Sequence, residues 1–66
     1  MNRIDLVTYA DCFDSYAAAI ADARRKGHTI GYYASPVEPA CDDATDEKIA
    51  EVGMDDISLI FVNLAA

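Results

Sequence analysis

Two cysteines and one histidine are the only residues in this chain that could form a thiol–imidazole pair: Cys12, Cys41 and His28. A thiol becomes an effective nucleophile when a nearby base or cation favours its thiolate. With a helix running from Asp11 to about Lys26, Cys12 sits near its start and His28 beyond its end, roughly 20 Å apart at the helical rise. Cys41 stands beside Asp42 and Asp43, whose charges oppose a thiolate. Zinc calls for closely spaced Cys and His ligands, which this spacing does not offer. Calcium is the stronger metal candidate, because Asp42, Asp43, Asp46 and Glu47 crowd together. Counted from Asp42, however, the sixth position of a calcium-binding EF-hand loop is Glu47 instead of Gly, and the twelfth is Gly53 instead of Glu. Paired carboxylates working as acid and base would need a walled pocket, for which a chain of 66 residues has little material. Gly27, Gly31 and Gly53 are too scattered to cradle a phosphate. The expectation is a protein that is not an enzyme, with no catalytic residue, metal ligand or cofactor.

Charge is the more informative signal. Residues 38–56 hold eight of the twelve acids and one base, Lys48, a surplus equal to the net charge of −7. The other 47 residues carry four acids and four bases and cancel. Such a field repels nucleic acid and anionic membranes and attracts basic surfaces, including those that hold DNA or RNA phosphates. Adjacent acids at Asp42–Asp43, Asp46–Glu47 and Asp55–Asp56 have no bases interleaved beyond Lys48. The alternative is a solvated face that keeps a small protein soluble. Arg24, Arg25 and Lys26 read as compensation of a helix dipole more readily than as a nucleic-acid patch.

The elements that would carry these residues follow from periodicity. RIDLVTY (3–9) alternates as a strand, with Ile4, Leu6 and Thr8 on one face. Asp11 or Asp14 would cap the helix that follows, whose apolar stripe is Phe13, Ala17, Ile20 and Ala21, ended by Gly27. TIGYYA (29–34) reads as a second strand, with Gly31 weakening it or marking a bulge, closed by Ser35–Pro36. Thr45 would cap a short helix over 46–52 that Gly53 stops, with Ile49 and Val52 facing inward. ISLIFVNL (57–64) is apolar on both faces, as a central strand must be. The expected fold is α+β, a single domain over 1–66 in the order strand–helix–strand–helix–strand. Its three-stranded, mainly antiparallel sheet places the last strand between the first and the second, and one main helix packs on one face. The arm 35–56 would cover the other face only in part.

Hydrophobic residues make up 53% of the chain, enough for one thin core in a domain of this size. No apolar run is long enough to span a bilayer, no basic-then-apolar leader precedes the first strand, and two cysteines do not make a secreted disulfide framework. The cysteines read as reduced, with a single bridge as the alternative. Tyr16 and Tyr32 fit the core or its boundary. Tyr9 and Tyr33 fall opposite Ile4 and Ile30, either as packing residues or as interface anchors.

A short acidic α/β chain with the segments RIDLVTYA, DCFDSYAAAIADARRKG, CDDATDEKIAE and ISLIFVNL resembles the small phage-encoded anti-CRISPR proteins, among them inhibitors of type I, and specifically type I-C, systems. The resemblance implies a non-enzymatic inhibitor in the cytoplasm of an infected bacterial host. It would bind a CRISPR effector complex as a monomer and block recognition of target DNA, without binding nucleic acid or membrane itself. The charge pattern leads to the same mechanism: Asp42, Asp43, Asp46, Glu47, Glu51, Asp55 and Asp56, with Tyr33, would occupy a basic DNA-binding surface of an effector protein. Two rivals stand beside it: an assembly module using an open sheet face at Val7, Tyr9 and Tyr33, and a metal-responsive or enzymatic domain.

Overall fold

A computed structural model describes residues 2–35 and 38–65. Strand β1 (Asn2–Asp5) leads into a single helical turn, α1 (Leu6–Tyr9), and a 3-10 turn over Ala10–Cys12. Helix α2 (Tyr16–Arg25) precedes β2 (Thr29–Tyr33) and a three-residue strand, β3 (Pro39–Cys41). Helix α3 (Asp46–Asp56) and a 3-10 turn over Ile57–Leu59 lead into β4 (Ile60–Leu64). The sheet order is β1-β4-β2-β3, with every neighbouring pair antiparallel.

The α+β class and the central place of the last strand agree with the reading of the sequence. Val62 of β4 faces both Ile4 and Ile30, and Asn63 faces both Arg3 and Thr29. Five details are corrected. The last strand, expected over 57–64, begins at Ile60, because Ile57–Leu59 form a 3-10 turn capped by Asp56. The sheet has four strands, because 39–41 pairs with β2 across a bulge at Tyr32/Tyr33. The first strand stops at Asp5, since Leu6, Tyr9 and Ala10 recur at helical spacing and turn inward while Val7 and Thr8 face solvent. Helix α2 starts at Tyr16: Ser15 caps it by accepting from the Ala18 N–H at 3.1 Å, and neither Asp11 nor Asp14 does so. Helix α3 runs through Gly53 to Asp56, so two helices of about three turns replace the expected main one. Asp56 then caps the next turn, accepting from the Ser58 N–H at 3.0 Å and the Ser58 hydroxyl at 2.6 Å. Pro36, read as closing the second strand, lies outside the described residues.

Other local signals hold. Thr45 caps α3 by accepting from the Lys48 N–H at 3.2 Å, with Asp46 and Glu47 at the positive end of the helix. Helix α2 ends in a Schellman motif: the His28 N–H reaches the Ala23 carbonyl at 2.9 Å and the Gly27 N–H reaches Arg24 at 3.0 Å. Gly27 has φ 87°, a left-handed conformation with little cost for glycine alone.

One face of the sheet packs against all three helices. Ile30, Ile60 and Val62 meet Leu6 of α1, Ala19 and Ala23 of α2, and Ile49 of α3. Asp42, Tyr33 and Arg3 lie over the opposite face. Asn63 is buried there with its amide fully used: its Nδ2 donates to the Asp42 carbonyl (2.8 Å) and to Thr29 Oγ1 (3.1 Å), and its Oδ1 accepts from Arg3 Nε (3.3 Å). Phe61 also points to this face and is 0% exposed. Its ring meets Tyr33 with centroids 4.5 Å apart and carries the Arg3 guanidinium 5.1 Å above it.

Candidate functional site

The acids expected to form one surface are divided among three places. Asp42 lies over the face opposite the helices and pairs with Arg3 at 3.4 Å, with Asp43 exposed beside it. Asp46 begins α3 and is held by Arg24, whose second guanidinium nitrogen donates to the Ala44 carbonyl at 3.0 Å. Glu47, Glu51 and Asp55 follow at four-residue spacing on the solvent side of α3, spanning about 12 Å of helix axis. Only Glu51 of the three has a basic partner, Lys48 at 3.5 Å. Among the described residues all five bases are in ion pairs within the chain, whereas Asp43, Glu47, Asp55 and Asp56 are not. Asp5, Asp11, Asp14 and Glu38 are exposed and outside these ion pairs too, but of the seven acids expected to form the surface the unpaired ones fall mainly on α3.

Placement of Asp55 and Asp56 runs against local stability. They occupy the last turn of α3, where the negative end of the helix disfavours carboxylates and no base offsets them; Asp56 is compensated by its cap on Ser58, whereas Asp55 is not. Replacing the exposed Asp55 with Lys is expected to raise Tm by about 2–5 °C in thermal denaturation followed by circular dichroism. A fall in Tm would instead mean that Asp55 makes a stabilising contact of its own.

The expected tyrosine face does not exist as one surface. Tyr33 lies on Phe61 over the face opposite the helices. Tyr9 is on α1, stacked on Phe13 with centroids 5.6 Å apart, and Val7 is exposed on the same turn. The ring of His28 meets the edge of Tyr9 at 6.4 Å, and its Nδ1 accepts from the Ala65 N–H at 2.8 Å. Because the helix starts after Cys12, the separation estimated from helical rise does not apply to His28 and Cys12. Cys12 is exposed, Cys41 is half-buried, and they are not bonded to each other.

Beside these lies a group the sequence did not reveal. Asp22, buried on α2, accepts from the Tyr9 hydroxyl at 3.0 Å and pairs with Lys26 at 3.0 Å and with Arg25. The Lys26 hydrogen bond does most to hold its carboxyl below the usual range; burial opposes this and Tyr9 assists. Burial first, and then Asp22, push the Tyr9 hydroxyl upward, and Asp22 raises Lys26. A phenol made harder to ionise is poorly suited to act as a base, so this cluster reads as a clasp between α1 and α2.

A groove of about 670 Å³ lies between α2 and α3. Leu6, Ile20, Ile49 and Ile57 line it, Ala17 and Ala21 edge it on α2, and Ala50 and Met54 edge it on α3. Arg24 and Asp46 close one end as its main polar feature. Met54 is 88% exposed. The sequence concealed the groove because Ala17, Ile20 and Ala21 read as packing against the sheet, and a helix stopped at Gly53 would exclude Met54. Among the described residues no three of His, Cys, Asp and Glu come together as metal ligands, and no helix is long and apolar enough to cross a membrane.

Comparison with known proteins returns no family model, no curated protein and no solved structure that matches this chain.

Proposed function

We propose that this chain is a non-enzymatic binding protein that presents the solvent side of α3 to a basic, nucleic-acid-binding surface of a protein partner. The observation that carries this reading is the imbalance of pairing. The bases of the described residues are consumed within the fold, and the carboxylates of Glu47 and Asp55 flank Glu51 on one rigid helix face. Charges spaced about 6 Å apart along a helix offer a row of anions to Lys and Arg side chains that otherwise hold phosphates. A helix supports this better than a loop, because the spacing is fixed before the partner arrives.

The resemblance to anti-CRISPR inhibitors supplies the target class to test, the DNA-binding surface of a type I effector complex, with inhibition by exclusion of target DNA. The experiment measures binding of the purified chain to such a complex at low and high salt, followed by competition with target DNA. Salt-weakened binding that is mutually exclusive with DNA is expected. Glu47→Lys/Glu51→Lys/Asp55→Lys should weaken it at least about a hundredfold, corresponding to roughly 3 kcal/mol. Asp11→Lys/Asp14→Lys/Glu38→Lys changes net charge equally on exposed acids elsewhere and should cost far less. Equal losses from both triple variants would reduce the effect to net charge, and binding indifferent to salt and DNA would sink the reading.

A further inference from the structure

The groove beside the acidic stripe has the character of a seat for a helix. Its walls are two helices of 10 and 11 residues, roughly 15 Å long, enough for about three turns of a third helix. The two lips differ. Ala17 and Ala21 on α2 are small and exposed, letting a backbone come close. On α3 the edge is Met54, an adaptable apolar side chain, and the next residues around the helix toward solvent are Glu47, Glu51 and Asp55. An occupant therefore meets apolar surface below, small residues on one side and carboxylates on the other.

A second copy of this chain is a poor occupant, since each carries a formal charge of −7 and would bring acid against acid. An anionic amphiphile meets the same repulsion, and Arg24, the only base of the groove wall among the described residues, is already engaged by Asp46 and the Ala44 carbonyl. We infer that the α2–α3 groove binds an amphipathic helix of a partner protein, apolar residues seated between the helices and Lys or Arg along the flank facing Glu47, Glu51 and Asp55. Such helices dock through apolar anchors at i, i+3, i+4 and i+7, and the groove floor of Ile20, Ile49 and Ile57 offers complementary surface. The inference rests on reading those three acids as a partner-binding stripe and adds an apolar contact beside the salt-sensitive one.

The test uses a synthetic helical peptide of about fifteen residues, with Leu at the anchor spacing and Lys along one flank, titrated into the isotope-labelled full chain. The expected result is saturable binding, with amide shifts concentrated at Ala17, Ile20, Ala50 and Met54. Replacing the Leu residues by Gln, or the Lys residues by Glu, should weaken binding at least about tenfold. Ala21→Gln/Met54→Gln changes two exposed, helix-compatible positions without altering charge, and is expected to weaken the peptide similarly while leaving Tm nearly unchanged. Equal binding of the Gln peptide, or equal binding to the groove variant, would overturn the apolar seat. Unchanged affinity for Glu47→Lys/Glu51→Lys/Asp55→Lys would overturn the basic flank. No saturable binding of the Leu/Lys peptide overturns the inference as a whole. Effector binding with DNA competition is a separate measurement, so failure of the target leaves the peptide result standing.

Discussion

Replacing Gly31 with alanine is expected to remove a large share of this protein's stability. A Cβ at that position would lie 2.5 Å from Phe61 Cζ and closer still to the carbonyl oxygen of Cys41. Neither neighbour can yield cheaply. Phe61 is buried between Tyr33 and Arg3, and the carbonyl belongs to the backbone of β3. Overpacking of this kind costs about 3 kcal/mol or more, against a total stability of about 3–10 kcal/mol for a domain of this length. Tm should fall by at least about 12 °C, measured by thermal denaturation. Adding Phe61→Leu should recover only part of the loss, because the carbonyl remains. Gly53→Ala is the contrast: its Cβ would meet the ends of Ile57 and Ile60 at 3.3 Å, and a modest shift of those side chains relieves it. A Gly31→Ala variant as stable as the parent would mean that the chain at Cys41 does not press onto β2.

Stability should be greatest between about pH 4 and pH 10 and should fall on both sides, with Asp22 central to both limbs. The folded state depresses the Asp22 pKa, chiefly through Lys26, so its contribution is present above the unfolded value near 4 and is lost as pH falls through the folded value. Asp56, held low by Ser58, titrates in the same sense. At the alkaline end Tyr9 and Lys26 are both raised, so their contribution is present below about 10 and is lost as pH rises through their folded values. Asp22→Asn should lower the plateau and flatten both limbs in denaturant titrations performed across pH. Tyr9→Phe should leave most of the acid limb, because Lys26 remains paired, and should reduce the alkaline one. An acid limb unchanged in Asp22→Asn would remove the clasp between α1 and α2 from the account.

Much of the architecture was legible where a single local signal acted alone. Thr45 as a cap and Gly27 at a left-handed position each lead to the element observed, and the apolar faces of ISLIFVNL lead to the central strand, though its first three residues form a 3-10 turn. Signals failed where two periodicities overlapped. Leu6, Thr8 and Ile4 alternate like a strand, but Leu6, Tyr9 and Ala10 recur like a helix, and tertiary packing of α1 on α2 decides between them. Gly53 is a poor helix residue in isolation, yet Asp56 caps the following turn and α3 continues through it. The acidity of residues 38–56 was plain, but its division was not. Ion pairs with Arg3 and Arg24 join positions 39 and 22 residues apart, and nothing in the linear pattern announces them. For the same reason nothing in the linear pattern marks Asp22, which is buried among Tyr9, Arg25 and Lys26.

The central strand is also synthesised after both of the strands it pairs with. β1 and β2 touch β4 and not each other, so neither gains its main hydrogen-bonding neighbour until residues 60–64 have left the ribosome. At about 5–20 residues per second, the 55 residues from the end of β1 to the start of β4 take roughly 3–11 s, and for most of that time the nascent chain has only helices and the β2–β3 pair to form. Its apolar segments wait in the open until then. A surplus of negative charge concentrated just ahead of β4 makes two such waiting chains repel each other, keeping the newborn protein from clumping before it can close.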